Sequence, residues 1–169
     1  ERGRDIMSSL NESTRSCEFE AVVTRAFQFT RDFAAAAQLE PPIFRSEIEP
    51  GLRFSGKPFS MERVLVNLFV NSVRVMRRNS EITVRARESA GELEVCVSDN
   101  GPGIPQDVLP RIFEPGFSAT KSSGLGLHIV RTIILEHRGK VEAANGPDGR
   151  GARFLIRVPV SGYIPGATA

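Results

Sequence analysis

The order of the predicted elements favours an α+β domain of two layers, with helices on one face of a mixed, mainly antiparallel sheet. Three observations lead to this fold class. Apolar residues recur near a period of 3.6 in three segments, which predicts amphipathic helices. Two pairs of short segments with strand-like composition flank turn-forming sequences, which predicts antiparallel strand pairs. The 169 residues, 40% of them hydrophobic, can supply one sizeable core.

The first part of the chain is predicted to hold one helix and two short strands. Residues 1–16 are mostly polar and are expected to form the end of an upstream helix and a linker, with no role in the core. Apolar residues at helical spacing predict a helix over residues 18–38, which two prolines then close off. Residues 43–48 and 52–54 are extended candidates on either side of a Pro-Gly turn, and they could form a hairpin.

A second helix is predicted from Ser60, which can cap it, to about residue 78. Its polar residues fall on one narrow stripe made of Arg63, Asn67, Asn71, Arg74 and Arg78. The rest of the helix is apolar and therefore buried, so the stripe faces either water at an edge or a polar cavity. Asparagine carbonyls are hard ligands suited to Mg²⁺, and the guanidinium of Arg74 can hold a phosphate. The alternative is an ordinary solvated helix face.

The second half of the chain is predicted to contain two strand pairs and one long helix. The elements are, in order, strands at 81–88 and 93–98, a short helix at 105–112, a loop at 113–123, a helix at 125–137 and strands at 140–144 and 152–158. We expect Gly139 to end the long helix, because glycine is favoured in the left-handed position after a helix.

Asp99 occupies an unusual position for a carboxylate. Period two places it on the same core-facing side as Leu93, Val95 and Val97. A carboxylate there is costly unless it is paired or meets a ligand donor, and the exocyclic amine of adenine is such a donor. Glycines in the following N-G-P-G loop would let the backbone approach a flat ring. The alternative is a tight turn after a strand, for which this sequence is also common.

A second glycine-containing sequence, S-S-G-L-G-L at residues 122–127, leads into the long helix. Free backbone N–H groups and the positive end of a helix dipole make such a start an anion site. Lys121 directly before it could neutralise a phosphate. One Gly-x-Gly pattern is equally typical of a flexible loop before a helix.

Composition argues against several classes of function. The 22 basic and 20 acidic residues leave a net charge of +2, too small to indicate nucleic acid or an anionic membrane as the main partner. Cys17 and Cys96 lack the spacing of metal ligands or of a disulfide framework, so reduced cytosolic thiols are expected. No apolar run approaches the ~20 residues that span a bilayer. We expect a cytoplasmic domain, excised from a longer protein because the chain begins at Glu1.

From Met61 to Pro159 the chain resembles the histidine kinase branch of the GHKL ATPases, a superfamily that also includes gyrase-type enzymes, heat-shock chaperones and mismatch-repair proteins. Four ordered boxes carry the resemblance: R-V-L-V-N-L-F-V-N-S-V-R-V-M, D-N-G-P-G-I, R-I-F-E-P-G-F and G-L-G-L-H-I-V. The resemblance implies ATP and Mg²⁺ as cofactors. It also implies that a catalytic ATP-binding domain spans residues 17–162, after the end of a dimerisation helix and linker at 1–16 and before a tail at 163–169.

The resemblance further implies roles for individual residues. Asn71 would coordinate Mg²⁺, Arg74 would approach the phosphates, and Asp99 would hydrogen-bond the adenine amine. Asn71 and Lys121 are the residues expected to act in catalysis. The base pocket would be shaped by Gly101, Gly103 and Ile104. Lys121 would reach the phosphates, and the residues that cradle them would be Gly124, Leu125, Gly126 and Leu127. The cofactor-binding residues would also include Thr120, Ser122 and Ser123.

The segment between the third and fourth boxes resembles the ATP lid of this family. Phe113 and Phe117 would anchor a short, mobile lid over residues 116–123. Two positions depart from the family pattern. Ser122 stands where a further glycine is usual, and Gly116 replaces a bulkier residue.

The resemblance implies phosphoryl transfer from ATP to a histidine on an upstream dimerisation domain of a homodimer, with a response regulator receiver domain as the next partner. Asn67 stands where the hydrolytic members usually carry the glutamate that activates water. His128 and His137 do not lie in acceptor-like sequences, so we expect both to be structural or exposed. The alternatives are a serine kinase of the anti-sigma type and a regulatory docking module without catalysis.

Overall fold

A computed structural model of the chain describes residues 15–76, 79–116 and 126–160. After the first strand and helix, the strands in these ranges follow one another in pairs separated by helices. In order they are β1 (Arg15–Glu18), α1 (Phe19–Ala36), β2 (Ile43–Ile48), β3 (Arg53–Gly56), α2 (Pro58–Val75), β4 (Glu81–Ser89), β5 (Glu92–Asp99), a 3₁₀ turn (Leu109–Arg111), α3 (Gly126–Glu136), β6 (Lys140–Asn145) and β7 (Ala152–Pro159).

Five strands form the main sheet in the order β2-β4-β5-β7-β6, and among these described strands only the β2–β4 pair is parallel. Buried side chains alternate along β4, β5 and β7 and pack with the helices in one core. Helix α2 contacts both α1 and α3. The largest fully buried side chains include Phe19, Phe54, Phe69, Met61, Leu65 and Leu68. The predicted two-layer α+β fold is therefore confirmed.

The other face of the sheet carries charged side chains that pair across neighbouring strands. Arg85 on β4 binds Glu47 on β2 through two hydrogen bonds of 2.8 and 2.9 Å. Glu94 on β5 accepts from both Arg87 and Arg157. The hydrogen bonds from Arg157 and then Arg87 hold the pKa of the Glu94 carboxyl below its usual range. This face of the sheet therefore carries paired charges of both signs, as expected of a face in contact with solvent.

The segment between α1 and α2 differs from the prediction. Strand β2 pairs in parallel with β4, and β3 pairs antiparallel with β1, so the hairpin suggested for residues 43–54 does not form. The reason is burial: Leu52 and Phe54 are 5% and 1% exposed and draw β3 towards the helices, whereas β2 leaves most of its side chains at a sheet edge. Residues 15 and 16, expected in a linker, belong to β1. Residues 1–14 lie outside the described ranges.

The start of α2 also differs from the prediction. It begins at Pro58 after Lys57 as N-cap, two residues before the predicted cap Ser60. Proline suits this first position because its fixed φ is helical and its missing N–H has no partner there anyway. The helix ends at Val75, since Met76 is extended with ψ 158°.

The later helical elements are confirmed with shifted ends. Helix α3 ends at Glu136, and Arg138, not Gly139, adopts the left-handed conformation with φ 56°. The N–H of Gly139 then donates to the carbonyl of Ile134 at 2.9 Å, which closes the helix end. The short helix expected at 105–112 is one 3₁₀ turn. None of the helices in the described part of the chain has both the length and the apolarity to cross a membrane.

Candidate functional site

Asp99 ends β5 on the helix-covered face of the sheet, as its period-two position predicts. Its Oδ1 accepts hydrogen bonds from the backbone N–H groups of Gly101 at 2.9 Å and Ala152 at 3.0 Å. Its Oδ2 accepts from the hydroxyl of Ser72 on α2 at 2.6 Å. A carboxylate can accept at about four positions. The described contacts therefore compensate the partly buried charge and leave one acceptor position, on Oδ2.

The loop after Asp99 is fixed to the chain segment between β6 and β7. The Asn145 side chain clamps Ile104 in both directions, accepting from its N–H at 2.7 Å and donating to its carbonyl at 2.6 Å. The N–H of Gly151 donates to the carbonyl of Gly101 at 2.8 Å. Gly103 has φ 80°, and a Cβ there would clash with the backbone oxygen of Gly149. We call residues 99–104 the strand-end wall.

Polar side chains of α2 face the beginning of α3. A Cβ on Gly126 would lie 3.2 Å from Asn67 Oδ1 and 3.6 Å from both polar atoms of the Asn71 amide. Asn67 Nδ2 donates to the carbonyl of Arg63 at 2.8 Å, which leaves Oδ1 towards Gly126. Within the described part of the chain, no residue shares a hydrogen bond with the Asn71 amide. We call Asn67, Asn71 and Gly126 the helix wall.

The two walls meet on α2, because Ser72 binds Asp99 while its neighbour Asn71 lies beside Gly126. The strand-end wall can accept a hydrogen bond from a neutral donor. The helix wall offers amide oxygens to a hard cation, and it lies at the N-terminal side of α3, which carries the positive end of the helix dipole. Together the walls suit a ligand with a donor at one end and anionic oxygens near a cation at the other.

The structure describes only some of the other predicted site residues. The Arg74 guanidinium is exposed and lies over the ring of Phe33 on α1, 5.5 Å from its centroid. Phe113 packs edge-on against Phe154, with ring centroids 6.4 Å apart. Ile104 and Leu127 are partly buried against the core. Outside the described residues lie Phe117, Thr120, Lys121, Ser122, Ser123, Gly124 and Leu125, and with them the predicted lid apart from Gly116.

The two histidines lie on or directly after α3. His137 is 3% exposed; its Nδ1 lies 2.8 Å from the carbonyl oxygen of Ile133, and its Nε2 accepts from the N–H of Lys57 at 3.3 Å. His128 is partly buried. His137 thus ties α3 to the start of α2, which fits the structural role expected for it.

Sequence reasoning missed Ser72 and Asn145. A signal for Ser72 existed: it is a small hydroxyl on the buried side of the predicted helix, and Asp99 is a carboxylate on the buried side of a predicted strand. Asn145 gave no such signal, because the sequence N-G-P-D-G is typical of a turn. Its partner Ile104 also lies 41 residues away.

The family model and the curated relatives that match this chain point to the same family. Residues 56–162 match the family model described as histidine kinase-, DNA gyrase B-, and HSP90-like ATPase. The chain is 34% identical over 151 residues to the sensor histidine kinase ZraS of Klebsiella oxytoca, covering 88% of this chain and 32% of ZraS. It is 33% identical over 172 residues to the signal transduction histidine-protein kinase AfsQ2 of Streptomyces coelicolor, covering 94% and 31%. The chain thus spans about a third of the length of these curated relatives.

Two solved structures share the fold over nearly their whole length. The catalytic domain of the histidine kinase ThkA superposes with a TM-score of 0.77 at 26% identity, covering 89% of this chain and 99% of that domain. The mycobacterial sensor histidine kinase MprB superposes with a TM-score of 0.74 at 24% identity, covering 87% and 97%.

Proposed function

Because the chain belongs to the histidine kinase-, DNA gyrase B- and HSP90-like ATPase family, as the ATP-binding domain of a sensor histidine kinase, we propose that it binds Mg-ATP between the strand-end wall and the helix wall. In this proposal it donates the γ-phosphate to a histidine on an upstream dimerisation domain. The full protein would work as a cytoplasmically active homodimer and pass the phosphate to the receiver domain of a response regulator.

The observation that carries the proposal is the Asp99 carboxylate. Three chain donors hold it, and the described contacts leave one acceptor position on Oδ2. The 6-amino group of adenine is a donor that matches this position, whereas guanine presents an oxygen at the same place of the ring. Gly103, which has no room for a Cβ, keeps the loop against its support at Gly149. The strand-end wall is therefore suited to an adenine.

The helix wall would hold the metal and the phosphates. Mg²⁺ prefers oxygen ligands and keeps waters and phosphate oxygens in its shell, so a single amide such as Asn71 suffices as the protein ligand. When bound, the metal neutralises charge on the phosphates. The phosphates would lie at the start of α3, next to Gly126, with residues 122–127 and the positive charge of Lys121 around them.

The chemistry proposed is in-line transfer of the γ-phosphoryl group. A nitrogen of the acceptor imidazole forms the new N–P bond while the bond between the γ-phosphorus and the ADP oxygen breaks. The domain contributes positioning and charge stabilisation, and the imidazole supplies the nucleophile. Asn67 lies in the helix wall, and an amide cannot take a proton from water, so transfer to a protein group is favoured over hydrolysis.

Binding is tested by calorimetry with Mg²⁺ and a non-hydrolysable ATP analogue. Asp99→Asn should weaken binding about 100-fold, because an amide donor meets the adenine donor and a charged hydrogen bond is lost. Asn71→Ala should weaken binding in Mg²⁺ but have little effect in EDTA. Asp32→Asn, an exposed acid-to-amide change on α1, is the control that should bind normally. Unchanged affinity in a folded Asp99→Asn variant would contradict the site.

Transfer is tested with γ-labelled ATP. The chain alone should remain unlabelled, since neither His128 nor His137 lies in an acceptor-like sequence. Adding a separate dimerisation domain with an acceptor histidine should give an acid-labile label on that domain. Stable labelling of a serine on a partner would favour the anti-sigma type, binding without any transfer a docking module, and rapid release of phosphate an ATPase.

A further inference from the structure

We infer that Ser72 is a positioning residue that orients the Asp99 carboxylate and so determines the preference for a purine with a 6-amino group. This inference rests on the proposed function. Ser72 lies on α2 directly after Asn71, with 4% of its surface exposed, and it takes part in both the core and the site.

The Asp99 carboxylate is held at both of its oxygens. The torsion that sets the plane of an aspartate carboxylate is broad and has little preference of its own. The N–H groups of Gly101 and Ala152 both bind Oδ1, and because the carboxylate is planar they also set where Oδ2 lies, but they leave both lone-pair positions of Oδ2 open. The described donor to Oδ2 is the Ser72 hydroxyl, at 2.6 Å, a distance typical of a charge-assisted O–H···O⁻ bond. Ser72 therefore occupies one lone-pair position of Oδ2, adds a second anchor for the plane of the carboxylate, and determines which position of Oδ2 remains for a ligand.

The Ser72–Asp99 pair has a single hydroxyl proton, which lies in the bond between the two side chains. A serine hydroxyl has one hydrogen, and Ser72 gives it to Asp99. Its oxygen then offers lone pairs only, like the remaining position of Oδ2. The two groups form an edge that accepts and cannot donate, which matches an amino group and repels the 6-oxo group of guanine or hypoxanthine. Without the hydroxyl the carboxylate loses its anchor on Oδ2 and both acceptor positions of that oxygen are open, so water can bind in place of Ser72 and this selectivity should fall.

The test compares two nucleotides on the same protein samples. ATP and purine riboside triphosphate, which lacks the 6-amino group, are titrated with Mg²⁺ into the wild-type chain, Ser72→Ala and Ser72→Thr. Thr30→Val is the matched control, since Thr30 is fully buried and its hydroxyl donates within α1 to Ala26. Ser72→Ala should bind ATP about tenfold more weakly and purine riboside triphosphate almost unchanged, because the lost contact acts through the amine.

The ratio of the two affinities separates positioning from a merely structural role and is unaffected by a loss of folded protein. Ser72→Thr, which keeps the hydroxyl, should restore most of the ratio, and Thr30→Val should leave it unchanged. Equal loss for both nucleotides in Ser72→Ala, or no loss for either, would overturn the assignment of Ser72 while leaving ATP binding intact. Failure of the wild-type chain to bind ATP would overturn the proposed function as well.

Discussion

The strand-end wall and the helix wall differ in how far the chain itself uses their polar atoms. In the strand-end wall, Asp99 accepts three hydrogen bonds, and Asn145 occupies both backbone groups of Ile104. In the helix wall, Asn67 donates to its own helix, and no described residue bonds to the Asn71 amide. In the strand-end wall the chain itself uses most of these polar atoms, whereas in the helix wall the described residues leave the Asn71 amide without a hydrogen bond.

The difference between the walls suits the different needs of the base and the phosphates of a nucleotide. A base is recognised best by groups that are already fixed, because no ordering is then needed on binding. Phosphates and a hydrated cation require groups that can adjust to them. Changes in the strand-end wall should therefore reduce stability and affinity together, whereas changes in the helix wall should reduce affinity alone.

The largest expected effect comes from Gly103→Ala in the strand-end wall. The substitution forces a side chain into φ 80° and against the backbone oxygen of Gly149, which cannot move without its loop. We expect a loss of about 3 kcal/mol in the free energy of unfolding, measured by urea denaturation. ATP binding should fall with it.

The matched control for Gly103→Ala is Gly149→Ala. Gly149 also has a left-handed φ, 71°, but a Cβ there would have no neighbour within 4 Å. It should cost about 1 kcal/mol, from the backbone conformation alone. Equal losses of unfolding free energy in Gly103→Ala and Gly149→Ala would show that the close approach of Gly103 to the Gly149 oxygen does not affect stability. The strand-end wall would then be less fixed than its contacts indicate.

A smaller effect is expected from Asn145→Ala. It leaves the N–H and carbonyl of Ile104 without their side-chain partner in a partly buried site, which should lower the free energy of unfolding by about 2 kcal/mol. Hydrogen exchange at the Ile104 amide should accelerate. Gln28→Ala, which removes an exposed amide from α1, should change neither measurement. Normal protection of Ile104 in Asn145→Ala would contradict the proposed clamp.

Local patterns of the sequence were sufficient for most of the fold. Helical periodicity located α1, α2 and α3, and strand-like composition located β4 to β7, because these signals depend on which faces are buried. The hairpin at 43–54 failed because the pairing of β2 and β3 depends on distant partners: Ile43 pairs with Glu81, and Phe54 pairs with Cys17. No local pattern contains that information.

In the candidate site, too, features set by local patterns were predictable and most features set by distant partners were not. The position of Asp99 follows from period two, and the direction of Asn67 and Asn71 follows from the apolar character of the rest of α2. Asn145 was missed because its bonds join residues 41 positions apart, whereas Ser72, 27 positions from Asp99, did have a signal in its place on the buried side of the helix. The orientation of Arg74 depends on Phe33 of a neighbouring helix, so it too required the packed structure.

The smallest effect on stability is expected from Gly126→Ala, the counterpart of Gly103→Ala in the helix wall. Its Cβ would meet the tip of the Asn67 side chain at 3.2 Å, and a side-chain tip can turn away where a backbone oxygen cannot. Alanine also favours a helix over glycine, so the free energy of unfolding should change by less than about 1 kcal/mol in either direction.

Binding should nevertheless respond to Gly126→Ala, because the added Cβ takes space beside Asn71 at the start of α3, where the phosphates are proposed to lie. We expect ATP affinity to fall about fivefold by calorimetry in a protein of nearly unchanged stability. Gly103→Ala should show the opposite, because most of the free energy that it loses should already appear as lower stability of the nucleotide-free protein. If Gly126→Ala instead unfolded as easily as Gly103→Ala, the helix wall would be as rigidly packed as the strand-end wall, and the contrast between them would not hold.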